Sequence, residues 1–213
     1  SILKGSPVTN TMLEVATSSN LWVNLFIMVL CAPVAEELIF RKLLIDRLAQ
    51  YGEGVAVLFS GLMFGLFHGN LNQFVYAFVL GLCFGFIYVK TGNIRYTIGL
   101  HMLVNFLGSV LGVAILKWLG DDFLSIASDP AGMMSYMTGN FGKLIVYFIY
   151  IFLLLGVAIA GIILFIVNLK KIRFLPGMNT LPKGKRFSTT VLNVGMALYM
   201  IVWIVIIIVQ LFQ

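Results

Sequence analysis

The chain has 213 residues, of which 61% are hydrophobic and only 10% charged, with a mean hydropathy of +1.03. A soluble domain carries about 25% charged residues, so this composition excludes a water-soluble globule and requires lipid as the solvent. The formal net charge of +6 does not indicate nucleic acid, because six basic residues (Lys170, Lys171, Arg173, Lys183, Lys185 and Arg186) fall in one connection between two apolar runs.

Six apolar runs follow in chain order, at about 21–35, 55–67, 74–89, 96–116, 144–167 and 190–212. Crossing a bilayer takes ~20 apolar residues, which the last three runs supply alone. The first three are shorter, and are expected to cross by running on past polar residues. The first would pass Glu36, Glu37 and Arg41 toward Gln50, and the second would end on His68. The predicted architecture is all-α: one polytopic transmembrane bundle of about six helices over 1–213, with a core at 30–110 and two scaffold helices at 140–213. The chain opens on Ser1 rather than Met, consistent with a chain lacking its start, and the segment before Leu21, which has no long apolar region, is not read as a signal peptide.

Charge orients the runs. Basic residues concentrate on the cytoplasmic side of membrane proteins. Placing there the connections holding Arg41, Lys42 and Arg47, then Lys90 and Arg95, then 170–186, puts eleven of the 14 basic residues inside. The outside keeps Lys4, Lys117 and Lys143, with Asp121, Asp122 and Asp129 in a loop between the fourth and fifth runs. The connection between the second and third runs, Gly69-Asn-Leu-Asn-Gln73, carries no charge. The 170–186 loop is also suited to anionic lipid headgroups.

Glycines recur at four-residue spacing (Gly61, Gly65 and Gly69; Gly81 and Gly85; Gly108 and Gly112), the pattern that lets membrane helices approach closely. Cys31 and Cys83 form no CxxC pair and are read as packing residues.

The polar residues inside the runs carry the chemistry. A charge at the centre of a membrane helix costs roughly 2.5–3.5 kcal/mol, so Glu36, Glu37 and Arg41 need partners. Glu37 and Arg41 are four residues apart in the favourable acid-first order and read as a structural pair. Glu36, about 100° round the helix, is left without a partner on its own helix. An intramembrane carboxylate of this kind is a functional candidate. Pro33 removes a backbone donor just upstream and is expected to kink the helix. The only two histidines, His68 and His101, lie in or at the end of apolar helices, and Asn105 shares a helix face with His101. At ~1.5 Å per residue, Glu36, His68 and His101 all reach mid-depth on the inner side.

Three spacings then line up in order: Glu36-Glu37-Leu-Ile-Phe-Arg41, an EExxxR pattern; Phe64-Gly-Leu-Phe-His68, FxxxH; and His101-Met-Leu-Val-Asn105, HxxxN. Over about residues 30–110 the chain resembles the CAAX protease and bacteriocin-processing family of intramembrane glutamate endopeptidases, which includes the type II CAAX prenyl endopeptidases. The resemblance implies that Glu36, helped by His68, activates a water, and that His101 and Asn105 donate to the oxyanion. It assigns Glu37 and Arg41 to holding the helix register, and Phe64 to packing beside the His68 imidazole. No cofactor is implied. A zinc-dependent version is one alternative, since His and Glu are zinc ligands, although HExxH is absent. A non-proteolytic bacteriocin-immunity or regulatory scaffold is another, and a proton-relay transporter a third. The expected partners are a peptide or membrane-protein substrate and the lipid bilayer, in a bacterial plasma membrane, with no nucleic acid.

Overall fold

The computed structural model describes residues 11–120, 123–127, 129–179, 182–185, 188–189 and 192–212. Lys4, Asp121, Asp122 and Arg186, used above to orient the chain, lie outside the described residues. The described chain is helical and, among those residues, has no strand. In order it comprises α1 (Thr11–Ser18), α2 (Leu21–Tyr51), α3 (Glu53–Phe67), α4 (Leu71–Thr91), α5 (Ile94–Leu119), α6 (Phe123–Ile126), α7 (Pro130–Asn168) and α8 (Val194–Phe212). Helices α2, α4, α5 and α7 are long and apolar enough to cross a membrane; α3 and α8 are shorter apolar helices. The protein is therefore an all-α polytopic membrane protein.

α2 runs unbroken through Glu36, Glu37 and Arg41 to Tyr51, as the sequence predicts. Its winding varies along the way. Asn24–Cys31 and Leu38–Ile45 are π-helical and bracket an α-helical segment, Ala32–Glu37, with Pro33 in its first turn. The Ala32 N–H reaches back five residues to the Ile27 carbonyl. A proline interrupts the normal ladder because it lacks a donor. Here the widened turns absorb that gap, and the two glutamates follow directly.

α3 and α4 form the central antiparallel pair, and their glycines set the separation. A Cβ on Gly81 would lie 2.8 Å from Gly61 Cα, and one on Gly65 would lie 3.0 Å from Phe78 Cβ. Gly108 does not share this role, because a Cβ there meets nothing within 4 Å. Its open side faces a cavity described below. Against the α3–α4 pair α2 packs two buried clusters, Phe40, Phe64 and Ala77 at one level and Ile45, Ala56 and Tyr88 nearer the α2–α3 turn.

Three sequence readings need correction. Arg41 is not a loop residue but is fully buried inside the bundle. Cys31 and Cys83 are exposed on outer helix faces, so neither packs the core. The stretch before residue 144 is not all loop: α7 begins at Pro130, where the Asp129 carboxylate accepts the Ala131 and Gly132 N–H groups. An aspartate at N-cap followed by proline is a strong helix start. α7 bends at Asn140, and its most apolar stretch buries nothing inside this chain.

The basic connections gather at one end of the bundle. Glu53, at the start of α3, pairs with Lys90 at the end of α4 and accepts the Leu175 N–H. Asn179 bonds the carbonyl and side-chain oxygens of Gln50. At the opposite end Lys117 donates to the Ser19 carbonyl, and Leu119, Phe123 and Leu144 form a third cluster.

Candidate active site

Three elements bring the polar residues together. The α-helical turn of α2 carries Glu36 and Glu37, the C-terminal end of α3 carries His68, and the first half of α5 carries His101 and Asn105. Glu36, His68, His101 and Asn105 line one cavity of about 540 Å³, with Phe64, Gln73 and Tyr76 also in its wall.

Beneath this cavity lies a dry ionic layer. Glu37 and Arg41 have no exposed side-chain surface, and their contact is two-pronged: Nη2 to Oε1 at 3.2 Å and Nε to Oε2 at 3.0 Å. Arg41 Nη1 donates to Ser60 Oγ at 2.8 Å, and Ser60 passes its proton on to the Phe40 carbonyl. The guanidinium carbon also lies 4.9 Å over the Phe64 ring. A buried ion pair is tolerated when its remaining donors find acceptors, and Ser60 on α3 supplies one for Arg41 Nη1. No sequence spacing pointed to Ser60.

The same layer fixes His101. Its Nδ1 is 3.0 Å from Glu37 Oε1, and a carboxylate held by arginine accepts only, so Nδ1 carries the proton. Nε2 then faces Glu36 Oε2 at 3.7 Å, ion-pair range but longer than a hydrogen bond. Phe64 and Phe84 hold the ring in place, with centroids at 5.6 and 5.5 Å. His101 thus stands between the two glutamates. Glu36 lacks a partner on its own helix, as expected, and the imidazole within ion-pair range of it is His101 rather than His68.

His68 is set by the end of its own helix. Its Nδ1 lies 2.8 Å from the Phe64 carbonyl, which can only accept, so Nδ1 is protonated and Nε2 is the basic nitrogen. The Phe64 ring packs edge-on against the imidazole at 4.8 Å. Directly after it, Gly69 turns the chain with φ +67°, a conformation that favours glycine at a helix C-terminus. Among the described residues Glu36 and His68 share no direct hydrogen bond or ion pair. They meet across the cavity.

Asn105 spends one amide proton on the Met28 carbonyl of α2 at 2.8 Å, which leaves one N–H and the side-chain oxygen. Among the described residues no three His, Cys, Asp or Glu side chains are grouped as a metal site, and Glu37 and His101 Nδ1 are already committed to each other. Chemically, the cavity offers two basic groups, Glu36 and His68 Nε2, and amide and imidazole nitrogens opposite.

Comparison with known proteins places these residues in a wider setting. Residues 18–107 match the family model described as type II CAAX prenyl endopeptidase Rce1-like. A protein of Bacillus subtilis (strain 168), named "Putative membrane peptidase YdiL", is 32% identical over 74 residues, which cover 34% of this chain and 30% of that relative. The match therefore spans about a third of either protein. No solved structure matches.

Proposed function

We propose, for a chain whose residues 18–107 match the model of the Rce1-like type II CAAX prenyl endopeptidases, that it is an intramembrane endopeptidase using Glu36 to activate water. The observation that carries this reading is the convergence of Glu36, His68, His101 and Asn105 from three helices on one cavity, with the tautomers of both histidines set by their partners.

In the proposed reaction a water held by Glu36 and by His68 Nε2 attacks the scissile carbonyl carbon. Its proton passes to Glu36, and the carbonyl oxygen becomes an oxyanion. That oxyanion accepts hydrogen bonds from the free N–H of Asn105 and from His101 Nε2 in its protonated form. Collapse breaks the C–N bond while Glu36 returns its proton to the leaving amine. Oxyanion donors of this type contribute about 10²–10³ in rate. Glu37 and Arg41 act at one remove: Glu37 orients His101, and Arg41 holds Glu37. The reaction draws on no metal. The substrate class is a peptide or membrane-protein segment that enters from lipid or the basic end, in the plasma membrane of a bacterium.

The test is a peptide-library cleavage screen with purified chain in detergent, run beside Glu36→Ala and His68→Ala. Loss of cleavage by at least a hundredfold in both is expected, with wild-type cleavage unaffected by chelator. Normal turnover by Glu36→Ala would refute the glutamate reading, and loss of activity on chelation would favour a metal. A wild-type chain that cleaves nothing would favour a scaffold.

A further inference from the structure

The uncharged connection after α3 has no part in the reaction as described, yet it builds a second polar arm into the cavity. Asn70 caps α4, its Oδ1 accepting the Gln73 N–H at 2.8 Å. Its Nδ2 donates to the His68 carbonyl and to Gln73 Oε1, both at 3.1 Å.

These bonds decide which way the Gln73 carboxamide points. A backbone N–H can only donate and a backbone carbonyl only accept, so Asn70 has one allowed orientation. With Oδ1 on the Gln73 N–H and Nδ2 on the His68 carbonyl, the amide edge that meets Gln73 is a donor. Gln73 must answer with its oxygen. Its Nε2, with two protons, is therefore the end left for the cavity.

Gln73 is only 6% exposed and lines the cavity beside Glu36 and His68. Among the described residues its Nε2 has no hydrogen-bond partner. A donor that opens on the cavity and has no acceptor on the protein is free for whatever the cavity holds. The cavity's own acceptors include Glu36 and His68 Nε2, which the reaction reserves for water. What the cavity receives from outside is a peptide, whose carbonyl oxygens are acceptors of the right kind.

We propose that Gln73 is a substrate-contacting residue: its Nε2 donates a hydrogen bond to a backbone carbonyl oxygen of the bound peptide next to the His68 wall, and Asn70 is the positioning residue that aims it. This rests on the protease reading above. It adds to that reading a donor that comes from the first turn of α4, independent of His101 and Asn105 on α5.

The experiment uses the full chain and the best peptide from the library screen, with wild type, Glu36→Ala, Gln73→Met and Gln73→Glu measured together. Gln73→Met keeps length and loses the donor. Gln73→Glu keeps shape and the Asn70 contact but presents an oxygen to the cavity. Both are expected to lower kcat/KM at least tenfold, Gln73→Glu more than Gln73→Met, with melting temperatures within a few degrees of wild type. A Gln73→Met enzyme within twofold of wild type overturns the proposal. Should that variant fail to fold, Gln73→Glu decides by the same ratio. Wild-type cleavage that survives Glu36→Ala sinks the glutamate mechanism instead, whereas an inactive Glu36→Ala beside a normal Gln73 variant sinks only the proposal made here.

Discussion

Arg41 is fully buried, so its charge depends on Glu37, Ser60 and the faces of Phe64 and Phe84. Removing one member of a buried pair strands the other, at a cost of about 3–5 kcal/mol. Arg41→Met is therefore expected to melt far below wild type in detergent, with Glu37→Gln in the same chain restoring part of the loss. Ser60→Ala removes the acceptor for Arg41 Nη1 and is expected to cost about 1–3 kcal/mol, measured by the same melts. The Glu37–Arg41 pair was legible in the sequence because four-residue spacing on a helix makes neighbours. The contact between Glu37 and His101 spans 64 residues, and the role of Ser60 depends on how α3 lies against α2. No local pattern encodes either, which is why His101 reads from sequence as a simple oxyanion donor and from structure as a ring held between two glutamates.

α3 is the shortest of the apolar helices in the core, and its C-terminal end determines where His68 stands. Gly69 ends it with φ +67°, and a Cβ there would also sit 3.2 Å from Ile206 and 3.3 Å from Trp203 of α8. Gly69→Ala is strained by the dihedral alone, and the packed neighbours give it little room. It is expected to lower the melting temperature and, by displacing His68, to reduce cleavage more than an equally destabilising change remote from the cavity. Equal activity loss in a stability-matched control such as Gly61→Ala would show that Gly69 acts only on folding. Gly61→Ala is a demanding control, because its added Cβ would sit 2.9 Å from Leu82 Cδ2 at the α3–α4 crossing. The glycine spacing foretold that crossing but not which glycines serve it. Gly108 follows the same spacing and instead opens the cavity, since periodicity marks a face and not what lies against it. The start of α7 escapes the sequence reading: Asp129 falls in a loop there, because the weakly apolar stretch after Pro130 hides the helix from a search for hydrophobic runs.

The molecule as a whole has two unlike ends, and its charge should fix which faces the cytoplasm. One end carries Lys90, Arg95, Lys170, Lys171, Arg173 and Lys185, with the 172–179 segment docked on the α2–α3 turn. The other keeps Lys117 and Lys143 near the start of α7. The positive-inside bias therefore puts the α2–α3 turn and the 172–179 segment in the cytoplasm, and the α6–α7 region outside. Cys31 and Cys83 face outward from the bundle, so both are first replaced by alanine to give a silent background. Met178, 92% exposed at the basic end, and Met134, 66% exposed near the start of α7, are then changed singly to cysteine. A membrane-impermeant maleimide is expected to label Met134→Cys in intact cells and Met178→Cys only in inside-out vesicles. Labelling of both from one side would break the span count between them, since α7 must then fail to cross. The reverse pattern would leave the fold standing and invert it, moving the basic end, and the side from which a peptide reaches Glu36, to the exterior.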